Sequence, residues 1–406
     1  MSIFVAVVTF AVALLVTLLC VPLVSKLAFR LDAVDYPSAR RVNKKPVPRM
    51  GGVAMFVGMA TAFLVLIVGI HCFGWESPLN QELREDINFV GVAVGVVLIF
   101  IVGVIDDIVE LRARVKFIGQ IIAACIVAGS GLLLASVHNP FGGYIEFGIF
   151  AYPLTVFYLV AFANVINLID GLDGLAAGIT AISAGTILIL SVVTNSVFAA
   201  LLSLILLGIC LGFLKYNFNP ASIFMGDSGS LLLGFMLAII SLLATARTAA
   251  LVSLLVPVVA AGVPIMDTAS AIIRRTRAHK SIGEPDKGHI HHRLLESGYS
   301  QKTTVYFMWG LTALFAFCAL VFMKFDGVVR LVCITVAVIA AAVVIFKLHL
   351  LDPVLIHHFA PRGRKNGSGG VAAGTHFKQS DEEDQDWEVA GERAWEGRIR
   401  NEKKDS

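Results

Sequence analysis

Apolar residues run along this chain in long blocks separated by short polar breaks. Crossing a bilayer's hydrocarbon core takes about 20 apolar residues per helix. The blocks predict eleven spans, at 3–24, 51–73, 88–105, 117–137, 149–166, 175–194, 197–214, 230–245, 248–266, 304–323 and 328–348. The polar breaks between the sixth and seventh and between the eighth and ninth are weak, and merging either pair would leave ten spans and reverse the parity. The first block has no basic stretch before it and no small-residue cleavage site after it, so a retained helix is expected rather than a signal peptide. The predicted fold is all-α, a polytopic transmembrane helical bundle of eleven spans within residues 1–350, followed by a cytoplasmic tail over 351–406.

Composition agrees with the pattern. Hydrophobic residues make up 57% of the 406 positions and charged residues 15%, and the mean hydropathy is +0.83. Soluble proteins average about 45–50% apolar and about 25% charged, so a soluble enzyme, a disordered chain and a disulfide scaffold are excluded. The six cysteines are scattered singly through apolar blocks and read as small buried hydrophobes. From Pro361 onward the chain turns to Gly/Ser, an acidic run from Asp381 to Glu388 and a basic end at Lys403 and Lys404. That composition buries too little apolar surface to order itself.

Lys and Arg decide sidedness, because short cytoplasmic loops are enriched in them. The loops after spans one, three, five, seven and nine hold eighteen, from Lys26 to Lys302 and including Lys44, Lys45, Lys116 and Arg293, whereas the opposite loops hold four, Arg84, Arg247, Lys324 and Arg330. This places the first set in the cytoplasm, the N-terminus outside and the tail inside.

The carboxylates gather on that same side. Asp106-Asp107 follows span three, and Asp170 and Asp173 follow span five in Asn164-Val-Ile-Asn167-Leu-Ile-Asp170-Gly-Leu-Asp173-Gly. Asp227 follows span seven in Phe224-Met-Gly226-Asp227-Ser-Gly229-Ser230, and Asp286-Lys-Gly-His289-Ile-His291-His292-Arg293 follows span nine. One Asp at the bilayer centre costs about 2.5–3.5 kcal/mol, and five would cost roughly 12 kcal/mol or more. They belong at helix ends facing the interface.

Taken singly, each motif has an ordinary explanation as a helix cap, a turn, a solvated histidine loop or a topogenic basic stretch. Zinc is disfavoured for the histidines, since it wants about four ligands and no Cys lies near. Together they suit phosphoryl-group chemistry. Mg²⁺ takes one or two protein carboxylates and leaves its other positions to phosphate oxygens, and glycines let backbone approach a ligand closely. A transporter could also gather Asp and His at one face, but transporter sites lie near the midplane on broken helices, often within paired repeats.

Over residues 1–350 these motifs resemble the polyprenyl-phosphate N-acetylhexosamine-1-phosphate transferases. The resemblance is carried by the first loop from Asp35 to Gly52, by Gly103-Val-Ile-Asp106-Asp107 with Leu111 and Lys116, by Asn164 to Gly178, by Phe224 to Ser230 and by the histidine loop from Asp286 to Leu295. Many members have His where this chain has Asn43. Pro48-Arg49-Met50-Gly51-Gly52 and His-Ile-His-His-Arg are similar to the branch that uses UDP-N-acetylglucosamine rather than to the phospho-N-acetylmuramoyl-pentapeptide transferases, which remain the alternative within the class.

The resemblance implies a glycosyl-1-phosphate transferase of a bacterial plasma membrane, with its site facing the cytoplasm. It would take UDP-N-acetylglucosamine and a polyprenyl phosphate (undecaprenyl or decaprenyl), require Mg²⁺ or Mn²⁺ in its place, bind no nucleic acid and be compatible with a homodimer. By the same resemblance Asp227 and Asn167 hold the metal, and Asp106 or Asp107 deprotonates or orients the lipid phosphate, with Asp170 counted among the catalytic carboxylates. A covalent route through an Asp nucleophile stands beside the direct one. Lys44, Lys45, Lys116, Asn164, Asp173, Gly226, His289, His291, His292 and Arg293 are the implied substrate contacts.

Overall fold

The computed structural model describes residues 2–36, 46–78, 87–138, 144–245 and 298–325, with Leu294 and isolated positions between 329 and 343. Met1–Asp35 and Pro46–Ile356 form one compact unit, to which the elements below belong. Of a second unit, Tyr36–Lys45 with His357–Ser406, only Tyr36 is described. The expected span 248–266, most of 328–348 and the tail lie outside the described residues.

Nine α-helices occur among the described residues: α1 Ile3–Arg30, α2 Gly51–Phe73, α3 Phe89–Val109, α4 Ala113–Gly129, α5 Ala151–Ile169, α6 Leu175–Val193, α7 Val197–Asn217, α8 Gly226–Thr245 and α9 Gln301–Lys324. Two antiparallel ribbons join them, β1 Val34–Asp35 with β2 Val47–Pro48 and β3 Ser136–His138 with β4 Tyr144–Glu146. Side-chain caps set several starts. Ser2 accepts from Val5 N, Asn88 accepts from Val90 N and Gly91 N, and Ser300 accepts from Thr303 N, each satisfying amides that a helix leaves unpaired at its first turn.

Eight of the nine helices are long and apolar enough to cross a membrane; α4, with 17 residues, is the exception. The span expected at 117–137 is corrected on both sides. The helix begins at Ala113 and so includes Arg114 and Lys116, and it ends at Gly129. Ser130 turns its hydroxyl back to Ile126 O (2.7 Å) while its carbonyl accepts from Asn88 N (2.8 Å). Gly131 then takes a φ of 86°. Beyond it Leu132 and Leu134 are buried and Leu133 less so, the period-2 pattern of an extended segment. A hydropathy block does not distinguish that from another helical turn.

The helices do not share the bilayer equally. In α8, 94% of an 18-residue window is buried, against 22% in α1. Helix α8 packs on α2, α3, α5, α6 and α7 and is the centre of the bundle, while α1 lies against α2 and α7 with Leu15, Leu19 and Leu23 on its open face. Close backbone approach marks the α3–α8 crossing. A Cβ on Gly103 would stand 2.5 Å from Ser228 Cα and 2.6 Å from Asp227 O, which only glycine tolerates. Small residues at such crossings replace the hydrophobic drive that lipid removes.

Candidate active site

Most of the described motif residues sit in the terminal turns of helices rather than in loops beyond them. Asp106 and Asp107 close α3, Lys116 lies in the first turn of α4, Asn164 and Asn167 lie in the last turns of α5, and Gly226 and Asp227 open α8. Four of these side chains meet. Asp227 Oδ2 is paired with the Lys116 ammonium, and Asp227 Oδ1 accepts from Asn167 Nδ2 at 2.7 Å. The same Asn167 nitrogen donates to Ser230 Oγ at 2.8 Å. Lys116 Nζ also lies 3.3 Å from Asp106 Oδ2 and 3.5 Å from Asn167 Oδ1. Asp106 Oδ1 is held by Leu111 N at 2.7 Å. One ammonium thus stands where oxygens from α3, α5 and α8 converge.

Asp107, the neighbour of Asp106, faces elsewhere. It is 4% exposed, and its two oxygens accept from Asp227 N (2.7 Å) and Ser228 N (3.1 Å). That is an N-terminal cap supplied from another helix, a carboxylate against the positive end of α8. Gly226 makes room for it: φ is 72°, and an added Cβ would fall 2.5 Å from Asp107 Oδ1.

A strand-like segment of the first loop closes this end. Phe224 N donates to Pro48 O (2.8 Å), Gly51 N to Phe224 O (3.0 Å) and Gly52 N to Met225 O (2.9 Å). Arg49 projects from that segment and bonds Glu110 at 2.6 Å.

The remaining expected residues are distributed around this centre. Asn164 pairs with Gln120, its Nδ2 donating to Gln120 Oε1 at 2.5 Å and to Val160 O at 2.8 Å. Asp173 Oδ2 accepts from Asn219 Nδ2 (2.9 Å) and Ala221 N (3.0 Å), and Asn219 continues to Gln301 of α9. Asp173 therefore ties the α5–α6 turn to the segment before α8. Asp170 caps α5 and keeps part of its surface open. Burial, then the charges of Asp107 and Asp173, raises its carboxyl well above the ordinary range. Lys44, Lys45, His289, His291, His292 and Arg293 lie outside the described residues. No group of three or more His, Cys, Asp or Glu side chains gathers to hold a metal among the described residues.

Sequence reasoning passed over Gln120, Ser230, Arg49 and Glu110 as site residues. Gln120, 1% exposed, had a signal: it lies one helical turn after Lys116, and an amide buried in an apolar helix needs a partner. Glu110 had none, since nothing local pairs it with Arg49.

The fold and this centre define a polytopic membrane protein with a carboxylate–lysine site at the ends of its helices. Residues 89–245, from α3 to the end of α8, match the family described as glycosyl transferase family 4. The probable undecaprenyl-phosphate N-acetylglucosaminyl 1-phosphate transferase of Bacillus subtilis is 41% identical over 316 residues, covering 78% of this chain and 84% of its own. The decaprenyl-phosphate N-acetylglucosaminephosphotransferase of Mycolicibacterium smegmatis is 38% identical over 357 residues, covering 82% and 86%. A phospho-N-acetylmuramoyl-pentapeptide-transferase of Desulforamulus reducens is 31% identical over 336 residues, covering 77% and 93%. The chain belongs to glycosyl transferase family 4.

Proposed function

We propose that the protein transfers N-acetylglucosamine 1-phosphate from UDP-N-acetylglucosamine to a polyprenyl phosphate in a bacterial plasma membrane and releases UMP, opening the synthesis of a cell-envelope glycopolymer. The observation that carries the reading is the convergence of Asp106, Asn167 and Asp227 on Lys116. The relatives named for N-acetylglucosamine phosphate transfer, at 41% and 38% identity, favour it over the muramoyl-pentapeptide reaction, at 31%. The Lys and Arg excess in the loops on the site's side supports a cytoplasmic face.

An oxygen of the lipid phosphate attacks the β-phosphorus of the nucleotide. The bond from that phosphorus to the bridging oxygen breaks, and its electron pair leaves with UMP. Positioning and charge neutralisation do most of the work in such a transfer. Lys116 exchanges its carboxylate partners for phosphate oxygens, which it can do because its ammonium is a compact charge on a flexible stem. Asp106 anchors that lysine and, facing the same space, orients the incoming phosphate. Asp107 holds the first turn of α8 and thereby Asp227. Asn164 and Asp173 shape the donor side, and the histidine loop with Lys44 and Lys45 completes the substrate contacts.

Oxygens that already converge on one cation fit a divalent cation. Asp227 and Asn167 are the residues that would hold Mg²⁺, with one carboxylate sufficing when phosphates supply the rest. Bound there, Mg²⁺ would supply charge neutralisation for the diphosphate and the leaving nucleotide.

The test is an assay of the purified chain in detergent with UDP-N-acetylglucosamine, undecaprenyl phosphate and Mg²⁺, reading the nucleotide released. UMP that depends on lipid and metal is the expected result. UDP would place the broken bond at the sugar and refute the reading, and turnover only of the muramoyl-pentapeptide nucleotide would move the protein to that branch.

A further inference from the structure

We propose that Arg49 is a phosphate-binding residue of this site and that Glu110 holds its guanidinium in place until a substrate phosphate displaces the carboxylate. The proposal deepens the phosphosugar-transfer reading and rests on it.

Arg49 is placed by backbone rather than by its own side chain. Its amide donates to Ala33 O at 2.9 Å, and it bridges in parallel to Phe224, two residues before Gly226 and three before Asp227. Gly51 and Gly52, just beyond it, are bonded to Phe224 and Met225. The residue is therefore fixed to the segment that opens α8, at the end of the bundle where Asp106, Lys116 and Asp227 meet. Its partner Glu110 caps the same end of α3, where the Glu110 amide donates to Asp106 O at 2.9 Å.

Among the described residues, Nη2 donates to Glu110 Oε1 at 2.6 Å, whereas Nε is buried with no hydrogen-bond partner. Nε and Nη2 lie on one edge of the planar group, and that edge matches two oxygens of a phosphate. A buried donor without a partner is costly, so a ligand that fills Nε and Nη2 together gains what the free protein forgoes.

Glu110 is a suitable placeholder. Its side chain is 70% exposed against 23% for Arg49, and an ion pair open to water on one side contributes little net stability. The carboxylate can swing into solvent at small cost. A phosphate carries more charge and three acceptor oxygens, so it wins the exchange. The phosphate can be that of the lipid acceptor or the diphosphate of the donor, since both reach this end of the bundle in the proposed reaction.

Equilibrium binding of UDP-N-acetylglucosamine and, separately, of undecaprenyl phosphate would be measured on the purified full chain and on the Arg49→Gln, Arg49→Lys and Glu110→Gln variants, with thermal unfolding alongside. Arg49→Gln is expected to weaken one of the two ligands by about tenfold or more, the loss of a charge-assisted contact. Arg49→Lys should restore only part of that affinity, because it lacks the fork. Glu110→Gln should tighten the same ligand, by up to about fivefold. Weakening confined to the lipid assigns the acceptor phosphate, and weakening confined to the nucleotide assigns the diphosphate. Unchanged binding of both ligands by Arg49→Gln overturns the proposal. So does a Glu110→Gln protein that loses affinity and thermal stability together with Arg49→Gln, since that is how a purely structural pair behaves. Failure of the reaction itself is read separately: a wild-type chain that binds both ligands and releases no UMP overturns the function, whatever Arg49 does.

Discussion

Replacing Asp107 by Asn tests whether the second carboxylate of the pair is a cap or a base. The substitution keeps the shape but exchanges one acceptor oxygen for a donor, which then faces a backbone amide of Asp227 or Ser228. Those amides now sit 2.7 Å and 3.1 Å from the two carboxylate oxygens. One charge-assisted hydrogen bond is lost, worth about 1.5–3 kcal/mol, and one amide is left opposite a donor. A destabilisation of about 2 kcal/mol or more follows, because the position is 4% exposed and water cannot compensate. In a bundle of this size that corresponds to a fall of roughly 3 °C in unfolding midpoint. Asp227 rides on the same turn, so kcat falls with it. The assay pairs thermal unfolding in detergent with the pH dependence of kcat. A cap lowers the midpoint and leaves the acid limb of the profile in place. A variant with the wild-type midpoint and no acid limb would refute the capping argument and make Asp107 the base.

Three further outcomes are expected. Asp227→Ala should abolish turnover while the protein still inserts and purifies as wild type does; substantial residual activity at saturating Mg²⁺ would remove Asp227 from the proposed metal site. Gln120→Leu should leave Asn164 Nδ2 without its side-chain partner and cost about 1–3 kcal/mol, read as a lower unfolding midpoint that Asn164→Leu in the same chain partly restores. Asp170, whose carboxyl is raised well above the ordinary range by burial, binds a proton in the folded chain that the unfolded chain has already released. Stability of the metal-free protein should therefore fall as pH rises from about 4 through the raised pKa. Asp170→Asn should flatten that slope and stabilise the protein at neutral pH, and an unchanged slope would mean that Asp170 is not the group responsible.

Class and chemistry were legible because both are local. Hydropathy alone requires helices in lipid, where every backbone group must be satisfied within its own segment, and eight described helices are long and apolar enough to cross a membrane. The Asn164–Asp173 and Phe224–Ser230 motifs likewise stand out as polar residues that an apolar chain cannot leave unpartnered. The end of α4 was less legible, since the chain from Leu132 to Leu134 stays apolar while leaving the helix.

Only the tertiary structure decided which polar group meets which. Asp106 and Asp107 are adjacent in sequence, yet a helix turns about 100° per residue, so one carboxylate faces Lys116 on α4 and the other faces the amides of α8. The α8 partner is 120 positions away, and nothing in the local sequence announces it. The same holds for Arg49 and Glu110, 61 positions apart. Sequence determined that carboxylates, amides and lysine collect at the helix ends, because lipid expels them from the middle. Which of them cap, which pair and which stay open depends on how α3, α4, α5 and α8 cross, and only the packed bundle sets that.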